Sequence, residues 1–372
     1  MGLSSIAIKT NQIPLMLNHL KIIDLSSVLA GPSVATFFAE LGAEVIKYEH
    51  PSRPDVTRSW KLANEAADAK VSAYFSSINY MKEYQTLDLT DEQQRAELLD
   101  ELKTADMLIM NFKRTDYAKF GLDDQKLLDI NPRLIIGKIS GYGSDSDRVA
   151  YDLILQAESG FMSMNGTPES GPVKMPVALI DVLAAHHLKE ALLLALYERE
   201  QTGQGQSVSV SLYDAAVSSL VNQASNYLMN DQVPKRIGSK HPNIAPYGEL
   251  FKTQDDAWVT FAVGSDKQFA SLCEVLELEE LIGHELYKSN RLRVINRESL
   301  ETRLADKVSI WSSQKLLQEL SDRNVPAGKV KSLDEVFSKQ SAACLIREEV
   351  ISGQKTKRVA SKVFTQYKKS ES

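Results

Sequence analysis

Asp181 stands where a short apolar run passes into a long, largely apolar helical pattern. Residues 177–180 read VALI, and apolar side chains then recur at helical spacing over residues 182–197. The pattern predicts a short buried strand followed by a buried helix that starts at Asp181. A carboxylate at such a junction is a candidate for chemistry because its position is fixed by the elements on both sides.

Two hypotheses explain an Asp at a helix start. Its side chain can cap the helix by accepting a hydrogen bond from an N–H group of the first turn, which is the commonest use. Alternatively, the positive end of the helix dipole keeps the carboxylate ionised, so that it can act as a nucleophile. Spacing alone favours the cap and leaves the nucleophile open.

Further candidates stand where predicted strands end. Apolar runs predict strands over residues 21–25, 44–48, 107–110 and 134–139, and Gly31-Pro32 opens a predicted helix over residues 33–41. The carboxyl ends of parallel strands meet at one edge of a sheet, where ligands bind, and a helix N-terminus favours phosphate. Residues 29–33 and Asn111-Phe112 lie at this predicted edge, although residues 29–33 also suit a plain strand-to-helix turn.

Glycine and histidine motifs for other chemistries are incomplete. Residues 141–143 read GYG after a strand, but Ser146 replaces the third glycine of a dinucleotide-binding loop, and the Gly203/Gly205 pair also lacks one. This counts against an NAD-dependent dehydrogenase, the rival from another class of enzyme. There is no phosphate loop of the GxxxxGK type, and the adjacent histidines at 186 and 187 form no HExxH zinc motif.

Composition excludes several classes of protein. The chain has 372 residues, of which 43% are hydrophobic and 25% charged, and its net charge is −6, so a nucleic-acid partner is not expected. Cys273 and Cys344 form neither a CxxC pair nor a metal-ligand spacing, which predicts a reduced cytoplasmic setting without a metal. No run of 18 apolar residues occurs, so no membrane partner is expected.

The element pattern predicts two domains. Residues 1–230 alternate strands and helices and predict the main part of an α/β domain with an open parallel, Rossmann-like sheet. Residues 231–325 begin with a proline-rich linker and continue as a hairpin over 248–262 and helices over 265–276, 296–308 and 313–323, which predicts a smaller α+β domain. Residues 326–372 are predicted to return to the large domain, which both chain ends therefore build.

Several stretches together resemble the class III CoA-transferase (CaiB/BaiF) family, which includes formyl-CoA transferase, carnitine CoA-transferase and the α-methylacyl-CoA racemases. The resemblance covers about residues 20–340 and follows the family's order. It rests on DLSSVLAGPSVATFFAELGAEVIKYEHP, INYMKEYQTLDL, TADMLIMNF, FGLD, INPRLIIGKISGYG, YDLILQAESGFMSMNG and TGQGQSVSVSLYDA.

The resemblance implies a function and a set of site residues. Asp181 matches the family's catalytic carboxylate, and coenzyme A, carried as an acyl-CoA substrate, is expected as the ligand with no metal. A homodimer of two interlocked chains is also implied. The residues expected to contact CoA are Val28, Leu29, Ala30, Lys82, Asn111, Phe112 and Lys119. Tyr80 and Glu83 replace two arginines of the family pattern, which leaves Lys82 as the surviving cation there.

Tyr151 bears on which family reaction the chain performs. The racemases carry a His immediately before the Asp that matches Asp152, and a Tyr side chain, with a pKa of about 10, is a poor base at neutral pH. The departure favours transfer of CoA to a free carboxylic acid, with Tyr151 bordering the substrate. A racemase or epimerase of the same family remains the alternative, and a non-catalytic CoA-binding protein is the alternative of another class.

Overall fold

The computed structural model describes residues 16–365, and the chain divides into two compact units. The first unit contains residues up to 162, residues 174–234 and residues from 344 onward, and the second contains residues 163–173 and 235–343. Two stretches expected elsewhere, 163–173 and 326–343, therefore belong to the second unit. The second of these does so because its strand at 327–329 pairs within that unit's sheet.

Six parallel strands form the sheet of the first unit, in the order β3-β2-β1-β4-β5-β6. They are β1 (Lys21–Asp24), β2 (Glu44–Glu49), β3 (Glu83–Thr86), β4 (Met107–Met110), β5 (Ile135–Ser140) and β6 (Ser207–Ser211). The strand order reverses between β1 and β4, and the carboxyl ends of these two strands flank the crevice where ligands bind in such sheets. The predicted α/β class with an open parallel sheet is confirmed.

In the part of the chain that the structure describes, ten α-helices accompany these strands. They are α1 (Ala30–Glu40), α2 (Ala73–Ile78), α3 (Glu92–Leu102), α4 (Arg114–Phe120), α5 (Asp124–Ile130), α6 (Asp152–Glu158), α7 (Phe161–Met164), α8 (Leu179–Thr202), α9 (Leu212–Ser218) and α10 (Val221–Asn230). The helix predicted to start at residue 33 starts three residues earlier, so Pro32 lies in its first turn, where its missing N–H is harmless.

Apolar side chains on both faces of the sheet explain why helices cover both. Along β4, Met107 and Ile109 join the cluster formed with α1 and α8, whereas Leu108 and Met110 join the cluster formed with α3 and α5. Alternate residues of a strand point to opposite faces, so a continuous apolar run is buried on both sides. The sheet is therefore the middle layer of three and holds its strand ends rigidly.

The second unit has its own sheet and its own core. Its antiparallel strands are β7 (Tyr247–Lys252), β8 (Trp258–Ala262) and β9 (Ala327–Lys329), with β8 in the middle. Its helices are α11 (Asp266–Val275), α12 (Asn290–Ile295), α13 (Arg297–Val308), α14 (Ser313–Asp322), α15 (Leu333–Phe337) and α16 (Gln340–Ala343). Aromatic and aliphatic residues such as Phe251, Phe261 and Leu316 form one cluster here, which accords with the predicted smaller α+β unit.

A hairpin of β10 (Ile346–Ile351) and β11 (Gln354–Val359) returns the chain to the first unit. It packs beside α2 and carries Arg358, which forms a buried ion pair with Glu40 at the end of α1. Among residues 16–365, none of the helices is both long and apolar enough to cross a membrane.

Candidate active site

Asp181 is the third residue of α8, not its cap. The cap position is Ala178, which makes no side-chain hydrogen bond, so the capping hypothesis is wrong. The residues before α8 form a bend and not the predicted strand. Something other than a strand must therefore hold the start of this helix in place.

Two side chains from α6 hold the start of α8. Ile180 donates its backbone N–H to Asp152 Oδ1 over 2.7 Å, which satisfies one unpaired donor of the first turn. Gln156 donates to Asp152 Oδ2 over 2.6 Å and accepts the N–H of Met175 over 2.8 Å. The segment that leads into Asp181 is thus fixed by a carboxylate and an amide one helical turn apart.

The carboxyl of Asp181 is almost completely buried, with 7% of the residue exposed. Burial, followed by the negative charge of Asp152, raises the pKa of Asp181 to about 7. These two effects oppose the expected action of the helix end, which is to keep this carboxylate ionised. At neutral pH the group is poised between its acid and its carboxylate form.

Tyr74 lies within electrostatic reach of Asp181. Burial raises the pKa of Tyr74 to about 12, and among the nearby charges Asp181 has the largest effect, followed by Asp152. The Tyr74 ring also contacts the Trp60 ring edge-on, with centroids 5.1 Å apart. Tyr74 therefore stays protonated at neutral pH and can donate a hydrogen bond but not accept a proton.

A cavity of about 390 Å³ opens at the carboxyl ends of the strands. It is lined by residues that follow β1, β2, β3 and β4, and three residues from the sequence-predicted set, Val28, Phe112 and Tyr151, are brought together there. Tyr151 immediately precedes Asp152, whose carboxylate accepts the N–H of Ile180, the residue before Asp181. Tyr151 therefore links the lining of the cavity to the start of α8. We call this cavity the edge cleft.

Leu29, Ala30 and Asn111 adjoin the edge cleft without lining it. Leu29 precedes the first residue of α1, and Ala30 is buried in its first turn. The Asn111 amide faces the backbone of Ser27: its Oδ1 accepts the Ser27 N–H over 3.0 Å, and its Nδ2 donates to the Ser27 carbonyl over 2.8 Å.

Lys82 is not in the place expected of a CoA ligand. Its ammonium is buried and donates to Asp24, Asn79 and the Pro32 carbonyl, each over 2.9 Å. Burial lowers the pKa of Lys82 to about 8, while Asp24 opposes the shift, so the ammonium remains largely charged at neutral pH. Because its ammonium N–H groups donate to partners inside the protein, Lys82 stabilises the carboxyl edge of the sheet from the interior.

Other basic residues line the edge cleft. Lys119 is exposed on α4, where its ammonium lies 5.0 Å from the centre of the Phe120 ring, and it does not line the cleft. His50 and Arg53 do line it, and Arg53 Nη2 lies 2.9 Å from His50 Nε2. Both follow the end of β2, so the strand-end rule that singled out Asn111 and Phe112 would have found them too.

Carboxylates in the edge cleft are engaged by partners of their own. Glu49 forms an ion pair with Arg58 at 2.6 Å, and burial of Glu49 is outweighed by that partner, which holds the pKa of Glu49 below its usual value. Asp88 accepts from Thr90, and His50 lies 3.7 Å from it. The cleft can therefore receive an anion at Arg53 although three acidic residues line it.

Comparison with protein families assigns nearly the whole chain. The family model described as CoA-transferase family III matches residues 17–366. A succinate–glutarate CoA-transferase from Agrobacterium fabrum is 36% identical over 328 residues, covering 87% of this chain and 82% of that protein. The human succinyl-CoA:glutarate CoA-transferase is 32% identical over 325 residues, covering 87% of this chain and 73% of that protein.

Solved structures agree with these matches. A crystal structure of a CaiB/BaiF family protein from Brucella suis superposes with a TM-score of 0.79 at 34% sequence identity, covering 95% of this chain and 92% of the other. The similarity extends over both units of the chain and is not confined to the parallel sheet.

Proposed function

Because the chain belongs to CoA-transferase family III and is therefore a CoA-transferase, we propose that Asp181 is the nucleophile that carries the transferred groups. One observation supports this most strongly. Asp181 is a buried carboxyl at a helix start that it does not cap, and its pKa is raised to about 7. A buried acid without a capping role, held in place by a neighbouring helix, is typical of a functional group.

The proposed reaction proceeds through an anhydride. The Asp181 carboxylate attacks the thioester carbonyl of the donor, the C–S bond breaks, and CoA leaves as a thiolate. The thiolate then attacks the side-chain carbonyl of Asp181, which releases the donor acid as a carboxylate and leaves an aspartyl-CoA thioester. Attack by the acceptor carboxylate expels the thiolate again, and return of the thiolate to the acceptor's carbonyl regenerates Asp181.

Burial of Asp181 suits this sequence of steps. Both the anhydride and the aspartyl thioester are hydrolysed by water, so a site that excludes water protects them. Burial also removes hydration from the carboxylate that must attack. Tyr74, which stays protonated, is a candidate donor to the oxyanion that forms at each carbonyl.

The edge cleft is the proposed site for the nucleotide end of acyl-CoA. Arg53 supplies positive charge for phosphate groups, and Phe112 and Phe120 supply apolar surface for the adenine ring. Val28 and Tyr151 complete the lining, and the route from Tyr151 through Asp152 leads to Asp181. Lys119, exposed beside Phe120, can reach a phosphate from outside the cleft.

Racemisation is less well supported. That reaction needs two bases across the substrate, and the residue before Asp152 is Tyr151. The pKa of the second tyrosine near Asp181, Tyr74, is raised to about 12, so at neutral pH still less of it is ionised and available as a base than of an ordinary tyrosine. Asp181, whose pKa is raised to about 7, is therefore the better candidate for a base in this neighbourhood.

Short dicarboxylic acids are the proposed acid substrates. The two curated relatives described above are named for succinate or succinyl-CoA and for glutarate, which are dicarboxylates of four and five carbons. We therefore expect succinyl-CoA to be an effective donor and glutarate or a related dicarboxylate to be an effective acceptor.

Exchange of labelled acid tests the transfer directly. Purified protein is mixed with succinyl-CoA and isotopically labelled dicarboxylic or monocarboxylic acids, and new acyl-CoA products are measured by mass spectrometry. We expect transfer with the wild type and a loss of at least about a thousandfold with Asp181→Asn, because an amide cannot form the anhydride. A folded Asp181→Asn protein with near-normal transfer would overturn the proposal.

A further inference from the structure

The turn between β1 and α1 contains a strained residue at the wall of the edge cleft. Val28 has a φ of +71°, which lies in the left-handed region that β-branched side chains rarely adopt. Such a conformation persists when surrounding contacts over-determine it, and it occurs preferentially at functional sites. The contacts that hold Val28 are therefore informative about what the turn does.

Asn111 holds the peptide groups on one side of Val28. Its amide accepts the Ser27 N–H over 3.0 Å and donates to the Ser27 carbonyl over 2.8 Å, so both of its polar atoms bind the backbone. Asn111 follows β4, whereas Ser27 follows β1. The two hydrogen bonds therefore join the carboxyl ends of β1 and β4, the strands between which the strand order reverses.

Asp55 and Lys47 hold the same turn from the other side. The Val28 N–H donates to the Asp55 carboxylate, with 3.2 Å to Oδ2, and Lys47 donates to the Ser26 carbonyl over 2.7 Å. Lys47 also forms an ion pair with Asp55 at 3.4 Å, and both side chains are buried. Side chains within β2 and beyond the ends of β2 and β4 thus bind three successive residues of the turn.

We propose that Asn111 and Asp55 are positioning residues that keep Val28 in its left-handed conformation, so that the turn is preformed for acyl-CoA. This rests on the proposed function in one respect, that the edge cleft receives CoA. Preforming a binding wall removes the ordering that a flexible turn would undergo when the ligand binds. Asn111 then acts on CoA through the backbone of Ser27 and Val28, without direct contact.

The left-handed conformation of Val28 allows two possible roles of Asn111 to be distinguished, namely holding the turn and contacting the ligand. Glycine adopts positive φ without the steric clash of a Cβ atom, so Val28→Gly keeps the turn accessible without a clamp. If Asn111 works by holding Val28, its removal must matter less when residue 28 is glycine. If Asn111 touches the ligand, its removal must matter equally in both backgrounds.

Calorimetric titration with CoA tests this in four proteins: wild type, Asn111→Ala, Val28→Gly and the double variant. We expect Asn111→Ala to weaken CoA binding by about tenfold, the effect of losing one or two hydrogen bonds. In the Val28→Gly background we expect the same substitution to weaken binding by less than about threefold. Should Asn111→Ala fold poorly, Asn111→Asp replaces it, since it keeps the acceptor and loses the donor.

Asn131→Ala is the matched control. Asn131 also binds backbone, donating to the carbonyls of Leu102 and Ala105 over 2.9 Å each, but it precedes β5 at the opposite end of the sheet. We expect it to lower the melting temperature without weakening CoA binding. Equal losses for Asn111→Ala in both backgrounds, or no loss in either, would overturn the inference alone. Absence of CoA binding by the wild type would instead overturn the proposed CoA site and this inference with it.

Discussion

At position 181 the helix dipole and burial act in opposite directions on one carboxyl group. A dipole is worth about 0.3–1 kcal/mol to an exposed charge near a helix end. The rise in the pKa of Asp181 from 3.8 to about 7 corresponds to roughly 4 kcal/mol in the other direction. Burial wins by this comparison, and the result is a nucleophile that is partly protonated at neutral pH and strongly activated when ionised.

The raised pKa of Asp181 predicts how kcat/KM depends on pH on the acid side of its profile, which we call the acid limb. The reacting form is the carboxylate, so kcat/KM of the wild type should fall as the pH decreases through about 7. Asp152→Asn removes the neighbouring charge and keeps an oxygen to accept the Ile180 N–H. The limb should therefore move to lower pH, while burial keeps it above the ordinary value near 4. A limb that stays in place or moves to higher pH would contradict the coupling between Asp152 and Asp181.

The buried contacts of Lys82 could not be predicted from the sequence. Its assignment to CoA rests on the family resemblance, in which it is the surviving cation of its segment. Its partner Asp24 lies 58 residues earlier, and no local pattern indicates that the two side chains meet in the interior. Asp181 is a candidate from the sequence because it interrupts an apolar pattern, whereas the ion pair of Lys82 joins residues that are far apart in the chain.

At the scale of elements, the sequence predicts buried strands well and edge strands poorly. β4 has the predicted bounds because MLIM is a short apolar run between polar residues. The sheet-edge strand β3 reads EYQT and the strands of the hairpin read IREEVI and QKTKRV, so neither shows the alternation of a half-buried strand. α8 is predicted from its long apolar pattern, whereas the break between α9 and α10 at Val221, with a φ of +38°, has no glycine or proline to mark it in the sequence.

The hairpin of β10 and β11 is held to α1 by one buried ion pair, which predicts a large effect on stability. Glu40 accepts from Arg358 and from the N–H groups of Ser361 and Lys362. Glu40→Gln leaves the Arg358 charge buried without a counter-charge, so the free energy of unfolding should fall by about 3 kcal/mol.

Chemical denaturation measures this change, and the hairpin itself offers the control. Glu348 forms an exposed ion pair with Lys357 on the same hairpin, so Glu348→Gln should leave the unfolding midpoint nearly unchanged. Equal effects of Glu40→Gln and Glu348→Gln would contradict the role given to the buried pair.

At the scale of the whole molecule, the first unit exposes several large apolar side chains on α8 and α10. In α8 the side chains of Leu194 and Tyr197 are 65% and 66% exposed, and in α10 those of Leu228 and Met229 are 77% and 80% exposed. Exposed apolar patches of this kind mark interfaces with other protein surfaces. A second copy of the chain is the proposed partner, as the family resemblance implies.

A homodimer is therefore expected in solution at micromolar concentration. Light scattering should give about twice the mass of one chain, and the double variant Leu228→Glu/Met229→Glu should shift the protein toward the monomer, because charges would be buried without partners. Ile310→Glu, at an exposed apolar residue of the second unit, is the control that should leave the dimer intact. A wild type that scatters as a stable monomer would contradict the prediction.

Covalent acylation of Asp181 during turnover can be tested by trapping the intermediate. The protein is mixed with succinyl-CoA without acceptor, quenched with hydroxylamine, digested and analysed by mass spectrometry. We expect the peptide containing Asp181 to carry a hydroxamate at that residue in the wild type, because hydroxylamine attacks the activated side-chain carbonyl, and we expect none in Asp181→Asn. An unmodified Asp181 in a protein that is actively transferring CoA, or a hydroxamate on another carboxyl such as Asp152, would contradict it.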